Sequence, residues 1–346
     1  MIEAAVRRVL AARERRSRRL PPLRVGPAGG RGRVYFLCPD HAAPSGGIRT
    51  IYRHVDVLSA AGLPAAVLHR RPGFSCRWFE HRTPIAYARR VRLSPADVLV
   101  VPEIYGPGLH ALPRGPKVVV FNQNAYLTFA GMPPGRSPYE GVPGLRGLLA
   151  VSGDNADYLR FAFPGIPVTV VPPAVDPEVF HPGGDGVPGR RIAFMPRKRR
   201  EDAEQVFAML AARGVLEGWE TVAIGGRSET ETAALLRTCP LFLALGRREG
   251  FGLPPAEAML SGCYVVGFTG LAGREVMLPE FSLPVEEDDV RALAVALADA
   301  MGRYEKDPDS VRALGGLAAG HVRRTYTPER QRHDLLAFFS PLLEQE

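Results

Sequence analysis

Short, predominantly apolar runs recur along this chain, interspersed with stretches of helical periodicity. That alternation constrains the fold more than any other feature. In the first half, residues 34–38 (VYFLC), 65–69, 97–101 (DVLVV), 117–121 (KVVVF), 147–152 (GLLAVS) and 168–171 read as strands. They do not alternate apolar with polar residues, which is the pattern of strands covered on both faces of a parallel sheet. Ile48, Ile51, Val55 and Leu58 share one helix face that Gly62 stops, and a further helix runs from Asp154. In the second half, strands are expected at 191–195, 220–224, 241–245 and 264–268. Helices are expected near 202–213, 230–238, 254–261 and 286–304, and through 309–346 apart from a break at 325–328. Strands alternating with helices argue for an α/β protein with doubly wound parallel sheets. The Pro-, Gly- and Asp-dense segment 171–190 separates two such halves, and a length of 346 residues accommodates both.

Charge looks at first like a nucleic-acid signal, because the net value is +8. Its placement removes that reading. Residues 1–24 hold eight arginines against Glu3 and Glu14, so this arm carries +6 and the other 322 residues only +2. Ile2, Val6, Val9 and Leu10 give the arm one narrow apolar face, so a short basic helix is expected there, packed on the domain or in weak contact with a membrane surface. No apolar run approaches the ~18–20 residues of a membrane-spanning helix. The arginines stand where a signal peptide has its apolar stretch, so a cytoplasmic protein is expected, peripheral at the inner membrane face at most. Cys38, Cys76, Cys239 and Cys263 are scattered and form neither a zinc motif nor a disulfide framework.

The densest chemistry is REGFGLPPAEAMLSGCYVVG (248–267). A strand ends, a glycine turn follows, and Pro254 and Pro255 suit the first turn of a helix. Gly250 and Gly252 allow a ligand close to the backbone, and a helix N-terminus favours anions. Glu249 in the turn and Glu257 in the helix are placed to accept hydrogen bonds from hydroxyls, as acidic residues do from a ribose. A second cluster, MPRKRRED (195–202), directly follows a strand. Fixed cations there would stabilise a leaving diphosphate more in the transition state than in the ground state.

The string E-G-F-G-L-P-P-x-E-A-M-x-x-G resembles the E-x7-E signature of retaining GT-B glycosyltransferases of family 4, with Glu249 and Glu257 on its two glutamates. VPPAVDPEVFHP (171–182) is similar to that family's inter-domain segment, with Ala174 at a position usually Gly. SGGIRTIYRHVDVLSAAG (45–62) resembles its N-terminal glycine loop and first helix. The resemblance spans nearly the whole chain from about residue 33.

It implies a GT-B fold of two Rossmann-like domains: a basic arm 1–24, an N-terminal acceptor domain 25–175, a C-terminal nucleotide-sugar domain 176–325, and a last helix 326–346 crossing back to the first. It implies that Glu249 and the amides of Gly250, Phe251, Gly252 and Leu253 orient the donor sugar. Glu257 holds the ribose, with backbone near Gly225, Gly226 and Arg227. Gly46 and Gly47 face the donor phosphates. Arg197 and Lys198 stabilise the leaving diphosphate, with Arg200 the alternative to either. Many relatives carry a His after the fourth or fifth strand; here VVVFNQNAY (118–126) offers Asn122 and Asn124 instead. These two and His41 are the expected sugar or acceptor contacts.

The implied activity is transfer of a sugar, with retention, from a nucleotide diphosphate sugar to a glycan or small-molecule hydroxyl, with neither cofactor nor metal and no nucleic-acid partner. The alternatives are a GT-B epimerase, which the E-x7-E string opposes, and a degenerate GT-B module that binds nucleotide or glycan without turnover. The acidic strings 286–289 and Asp307-Pro308-Asp309 read as helix starts or turns rather than metal sites.

Overall fold

The computed structural model of the chain describes residues 19–27, 30–183 and 189–344. Residues 1–18, and with them the expected basic helix and its membrane-surface contact, lie outside the described residues. The chain divides into two compact units. The first takes residues up to Val151, Asn155–Val171 and Arg332 onward; the second takes Ser152–Asp154 and Pro172–Gln331.

In the first unit the elements run β1 (Arg24–Val25), β2 (Val34–Leu37), α1 (Gly46–Ala60), β3 (Ala65–His69), β4 (Ile85–Tyr87), β5 (Arg92–Leu93), β6 (Val98–Pro102), β7 (Lys117–Asn122), β8 (Leu145–Ala150), α2 (Gly153–Ala162) and β9 (Val168–Val170). Among the described residues, seven of these strands form one sheet in the order β4-β3-β2-β6-β7-β8-β9, and β1 pairs with β5 apart from it. Every pairing is parallel. Every residue of β3, β6 and β7 is buried, as strands covered on both faces must be. Each fully buried Val or Leu contributes roughly 1.5–3 kcal/mol.

The second unit continues with β10 (Arg191–Phe194), α3 (Arg200–Ala212), β11 (Glu220–Ala223), α4 (Glu229–Leu236), β12 (Leu241–Glu249), α5 (Leu253–Leu260), β13 (Tyr264–Leu271), β14 (Leu283–Val285), α6 (Val290–Lys306), α7 (Pro308–Thr325) and α8 (Pro328–Glu344). Its described strands make a parallel sheet ordered β11-β10-β12-β13-β14. Its core joins Ile192, Leu241, Leu243, Val266 and Phe268 of the sheet to Leu210 of α3 and to Leu293, Leu297 and Met301 of α6. From Arg332 onward α8 counts with the first unit. There Phe339 is fully buried with its ring 5.5 Å from that of Phe36, and Lys117 Nζ donates to the Leu342 carbonyl at 2.8 Å.

Two sequence expectations need correction, and two edge strands were not expected. The helix expected from 286 begins at Val290. Asp288 takes a left-handed φ of 69°, and Asp289 caps the helix by accepting from Ala292 N–H at 2.8 Å. The strand expected at 241–245 continues to Glu249, so that residue ends a strand rather than lying in a turn. Edge strands β4 and β14 gave no signal; β14 reads LPV, and Pro284 is tolerated because an edge strand has an unpaired side. Asp307 caps α7 by accepting from Ser310 N–H at 3.1 Å, as a helix start should. No helix among the described residues is long and apolar enough to cross a membrane.

One core residue is out of character. His54, on α1, is fully buried with its ring 4.9 Å from Phe121 and 6.0 Å from Phe36. Neither ring nitrogen finds a hydrogen-bond partner among the described residues. Burial pushes its pKa down to about 3.

Candidate active site

All strands of the second sheet are parallel, so all their carboxyl ends share one edge. In its order β11-β10-β12-β13-β14 the winding direction reverses between β10 and β12. Open α/β sheets bind ligands outside the carboxyl ends at such a switch point. The segment after β10 carries Arg197, Lys198 and Arg199, and β12 ends in Glu249. Lys198 Nζ lies 2.5 Å from Glu249 Oε2, joining the two strand ends across the switch point. Both side chains keep some solvent contact, at 32% and 20% exposure.

Local backbone strain aims Glu249. The register of β12 against β13 shifts between Gly246 and Glu249, and Arg248 takes a left-handed φ of 47°. Such a conformation costs a non-glycine residue about 1–3 kcal/mol and collects at functional sites. Gly270 on β13 makes room for the side chain. A Cβ there would lie 2.6 Å from Glu249 Cγ, and its φ of +64° independently favours glycine.

Beyond Glu249, Gly250 accepts a hydrogen bond from Ser152 Oγ at 2.7 Å. Phe251 is buried edge-on against Tyr326, ring centroids 4.9 Å apart. Gly252 caps α5 with a left-handed φ of 105°, and Leu253 is the first helical residue. Pro254 and Pro255 lack N–H groups, so the helix N-terminus is a poorer anion site than its sequence context suggested; the amides it offers are those of the loop and Leu253. Glu257 follows inside α5 and is buried at 5% exposure. Gly225, Gly226 and Arg227 follow β11 on the same edge, with Arg227 3.9 Å from Glu231. The start of α4 is closed by the reciprocal Ser228–Glu231 capping box. Arg197 is exposed, and Arg200 is exposed with Glu204 4.0 Å away. Among the described residues no group of three or more His, Cys, Asp and Glu is arranged to hold a metal ion.

The residue that sequence reasoning missed is Arg199. Its side chain is 7% exposed and meets Asp202, Glu287 and Asp288, while its Nε donates to the Gly246 carbonyl at 2.8 Å. In the sequence it is one more arginine of a charged run, and the string 286–289 that neutralises it looked like a helix start.

In the first unit Gly46 and Gly47 open α1, whose N-cap Ser45 makes no side-chain capping bond and whose first turn has no acidic residue. A Cβ on Gly47 would stand 3.1 Å from Gln123 Oε1. His41 is exposed in the preceding loop. Beside it, Asp40 accepts from His69 Nδ1 at 3.0 Å, and His69 Nε2 meets the Tyr52 hydroxyl at 2.6 Å. Burial alone would raise the Asp40 carboxyl, but hydrogen bonds from His69, Arg71 and Arg70 together hold it below its ordinary range. Asn122 is fully buried, its amide donating to Thr128 Oγ1 and the Tyr139 hydroxyl at 2.8 Å each. Asn124 accepts from Tyr126 N–H at 3.0 Å at the start of a short 3-10 turn. The amide that faces the glycine loop is therefore that of Gln123, between the two asparagines named from the sequence.

No protein-family profile matches the chain. Among curated proteins, an alpha-1,6-glucosyltransferase of Actinobacillus pleuropneumoniae serotype 7 (strain AP76) is 26% identical over 244 residues, 68% of this chain and 72% of the relative. The lipopolysaccharide core biosynthesis mannosyltransferase LpcC of Rhizobium leguminosarum bv. viciae is 28% identical over 237 residues, 57% of this chain and 64% of the relative. Among solved structures, Anabaena HepE in complex with UDP and glucose gives a TM-score of 0.65 at 12% identity, over 90% of this chain and 100% of that one. The pneumococcal O-GlcNAc transferase GtfA in complex with UDP and GlcNAc gives 0.63 at 8% identity, over 92% and 100%. The fold is GT-B, with two Rossmann-like domains. With the two sequence relatives, it supports a glycosyltransferase of the GT-B type.

Proposed function

We propose that the chain is a retaining glycosyltransferase that moves a hexose from a nucleoside diphosphate sugar to an acceptor hydroxyl. The observation that carries this reading is the pairing of Lys198 with Glu249 at the β10/β12 switch point, with Glu257 eight residues beyond. A cation for phosphate and a carboxylate for sugar hydroxyls are thereby adjacent, as a sugar–phosphate linkage requires.

In this reading Glu257 accepts from the ribose hydroxyls. Glu249 and the amides from Gly250 to Leu253 hold the sugar. Arg197 and Lys198 gather the charge that develops on the diphosphate as the anomeric C–O bond breaks, without a metal ion. The acceptor oxygen approaches the face the diphosphate leaves, and a departing phosphate oxygen takes the acceptor proton, so configuration is retained. The relatives' glucosyl and mannosyl specificities support a hexose, and the lipopolysaccharide role of one supports a glycan acceptor.

The test is a panel of UDP-, GDP-, TDP- and ADP-hexoses offered with glycan acceptors, with nucleoside diphosphate release assayed and product anomers read by proton NMR. One donor is expected to turn over with its anomeric configuration kept. An inverted product would contradict the mechanism, and nucleotide binding without turnover of any donor would favour a binding module.

A further inference from the structure

We propose that Arg199 is a positioning residue that sets the Lys198–Glu249 geometry by clamping the backbone on both sides of it; the role given to Lys198 in turnover rests on the donor-site reading above. Arg199 follows Lys198 directly and leads into α3. Its guanidinium turns away from solvent and lies 4.6 Å over the Phe268 ring. Nε donates to the carbonyl of Gly246, three residues before Glu249 on β12, at 2.8 Å. Nη1 donates to Asp202 at 2.8 Å and to Asp288 at 2.6 Å, and Nη2 to Glu287 at 3.1 Å.

Glu287 carries the clamp to the other flank. Its second oxygen accepts from Gly270 N–H at 2.7 Å and from Thr269 Oγ1 at 3.2 Å. Gly270 is the residue whose missing Cβ makes room for Glu249 Cγ. One buried cation thus ties together the turn that carries Lys198, the bulged end of the strand that carries Glu249, and the neighbouring strand against which Glu249 lies. A planar guanidinium can hold a backbone carbonyl and three carboxylates at fixed angles, whereas an ammonium cannot. Two of these carboxylates come from the turn before α6, which gives that turn a task beyond capping.

The chain contains only three lysines, Lys117, Lys198 and Lys306, so each can be followed separately. The lysines are reductively methylated with carbon-13, which keeps their charge. The Lys198 signal is then compared in wild type, Glu249→Gln, Arg199→Gln and Glu287→Gln by two-dimensional NMR. Glu249→Gln marks the position of an unpaired Lys198. Arg199→Gln is expected to move the signal to that position, and Glu287→Gln, which leaves Arg199 in place with two carboxylate partners and secures the test should the first variant not fold, to move it part of the way.

In parallel, Arg199→Lys is expected to lower kcat about 10²-fold with the donor KM within about threefold, since ångström-scale misplacement acts on the chemical step. A Lys198 signal that stays at its wild-type position in the folded variants, or a kcat unchanged in folded Arg199→Lys, overturns the proposal. A wild type that neither binds nucleoside diphosphates nor turns over a donor, while its Lys198 signal still moves in the variants, leaves the clamp standing and removes the donor-site reading instead.

Discussion

Lys198→Ala is expected to lower kcat by about 10²–10³, about 3–4 kcal/mol, while the protein melts within a few degrees of wild type. The two halves of that expectation have different origins. An ion pair with this much solvent contact contributes only about 0–1 kcal/mol to stability, so folding hardly depends on it. In the transition state of the proposed reaction, however, the departing diphosphate would gather charge at the strand edge where Lys198 stands, and a fixed cation there is worth far more than in the ground state. In the same proposed reaction Glu249 accepts the sugar hydroxyl bonds, so Glu249→Gln is expected to lower kcat/KM by about 10–100-fold, the range of a hydrogen bond to a charged group. Nucleoside diphosphate release, assayed on protein whose fold is checked by circular dichroism, measures both. Full turnover in either variant would mean that the pair is surface decoration and that the site lies elsewhere.

The second large effect belongs to the core. His54 has both nitrogens unpartnered between Phe36 and Phe121, with its pKa pushed from 6.5 to about 3 by burial. The folded state therefore stays unprotonated there until about pH 3, whereas the unfolded chain takes up a proton near pH 6.5. Between those values the unfolded state binds more protons, so unfolding free energy falls as pH falls. The slope approaches about 1.4 kcal/mol per pH unit, or roughly 3 kcal/mol between pH 6.5 and pH 4. Above pH 6.5 this contribution is flat. His54→Leu, which also removes two unsatisfied polar groups, is expected to be more stable than wild type at pH 7, with a gap that widens by that amount at pH 4. Urea midpoints of the two proteins across this range give the difference directly. Parallel pH profiles would mean that the imidazole reaches water or a partner in the folded state.

The parts of the fold that are local were legible in the sequence. Residues 65–69 form β3 as expected, because a short apolar run that follows the Gly62 helix stop and is too short for a helix of its own reads as a buried strand. Gly62 closes α1 region with φ +83°, as an achiral residue after a helix should. The parts that depend on partners far along the chain were not. β12 outruns its apolar stretch because Arg247 to Glu249 continue beside β13, a pairing that no run of three polar residues announces. Asn122 and Asn124 looked like ligand groups, yet Asn122 is sealed by Thr128 and Tyr139, and Gln123, the first residue beyond the strand, is the one that faces the glycine loop.

Arg199 shows the same limit at the candidate site. Four adjacent cations read alike in sequence, and only the carboxylates Glu287 and Asp288, nearly ninety residues away, distinguish the buried one from its exposed neighbours. The glutamates of the E-x7-E string were legible because their spacing within one strand–turn–helix unit is itself local.

Nucleotide affinity of wild type against Glu257→Gln tests the central claim, that the carboxyl edge of the second sheet binds a nucleoside diphosphate. Titration calorimetry with UDP, GDP, TDP and ADP is expected to find one that binds wild type, and to find that binding weakened about 10–100-fold in Glu257→Gln, the loss of charge-assisted ribose hydrogen bonds. Binding of none of the four to wild type at millimolar concentration, or equal binding to both proteins, would contradict it.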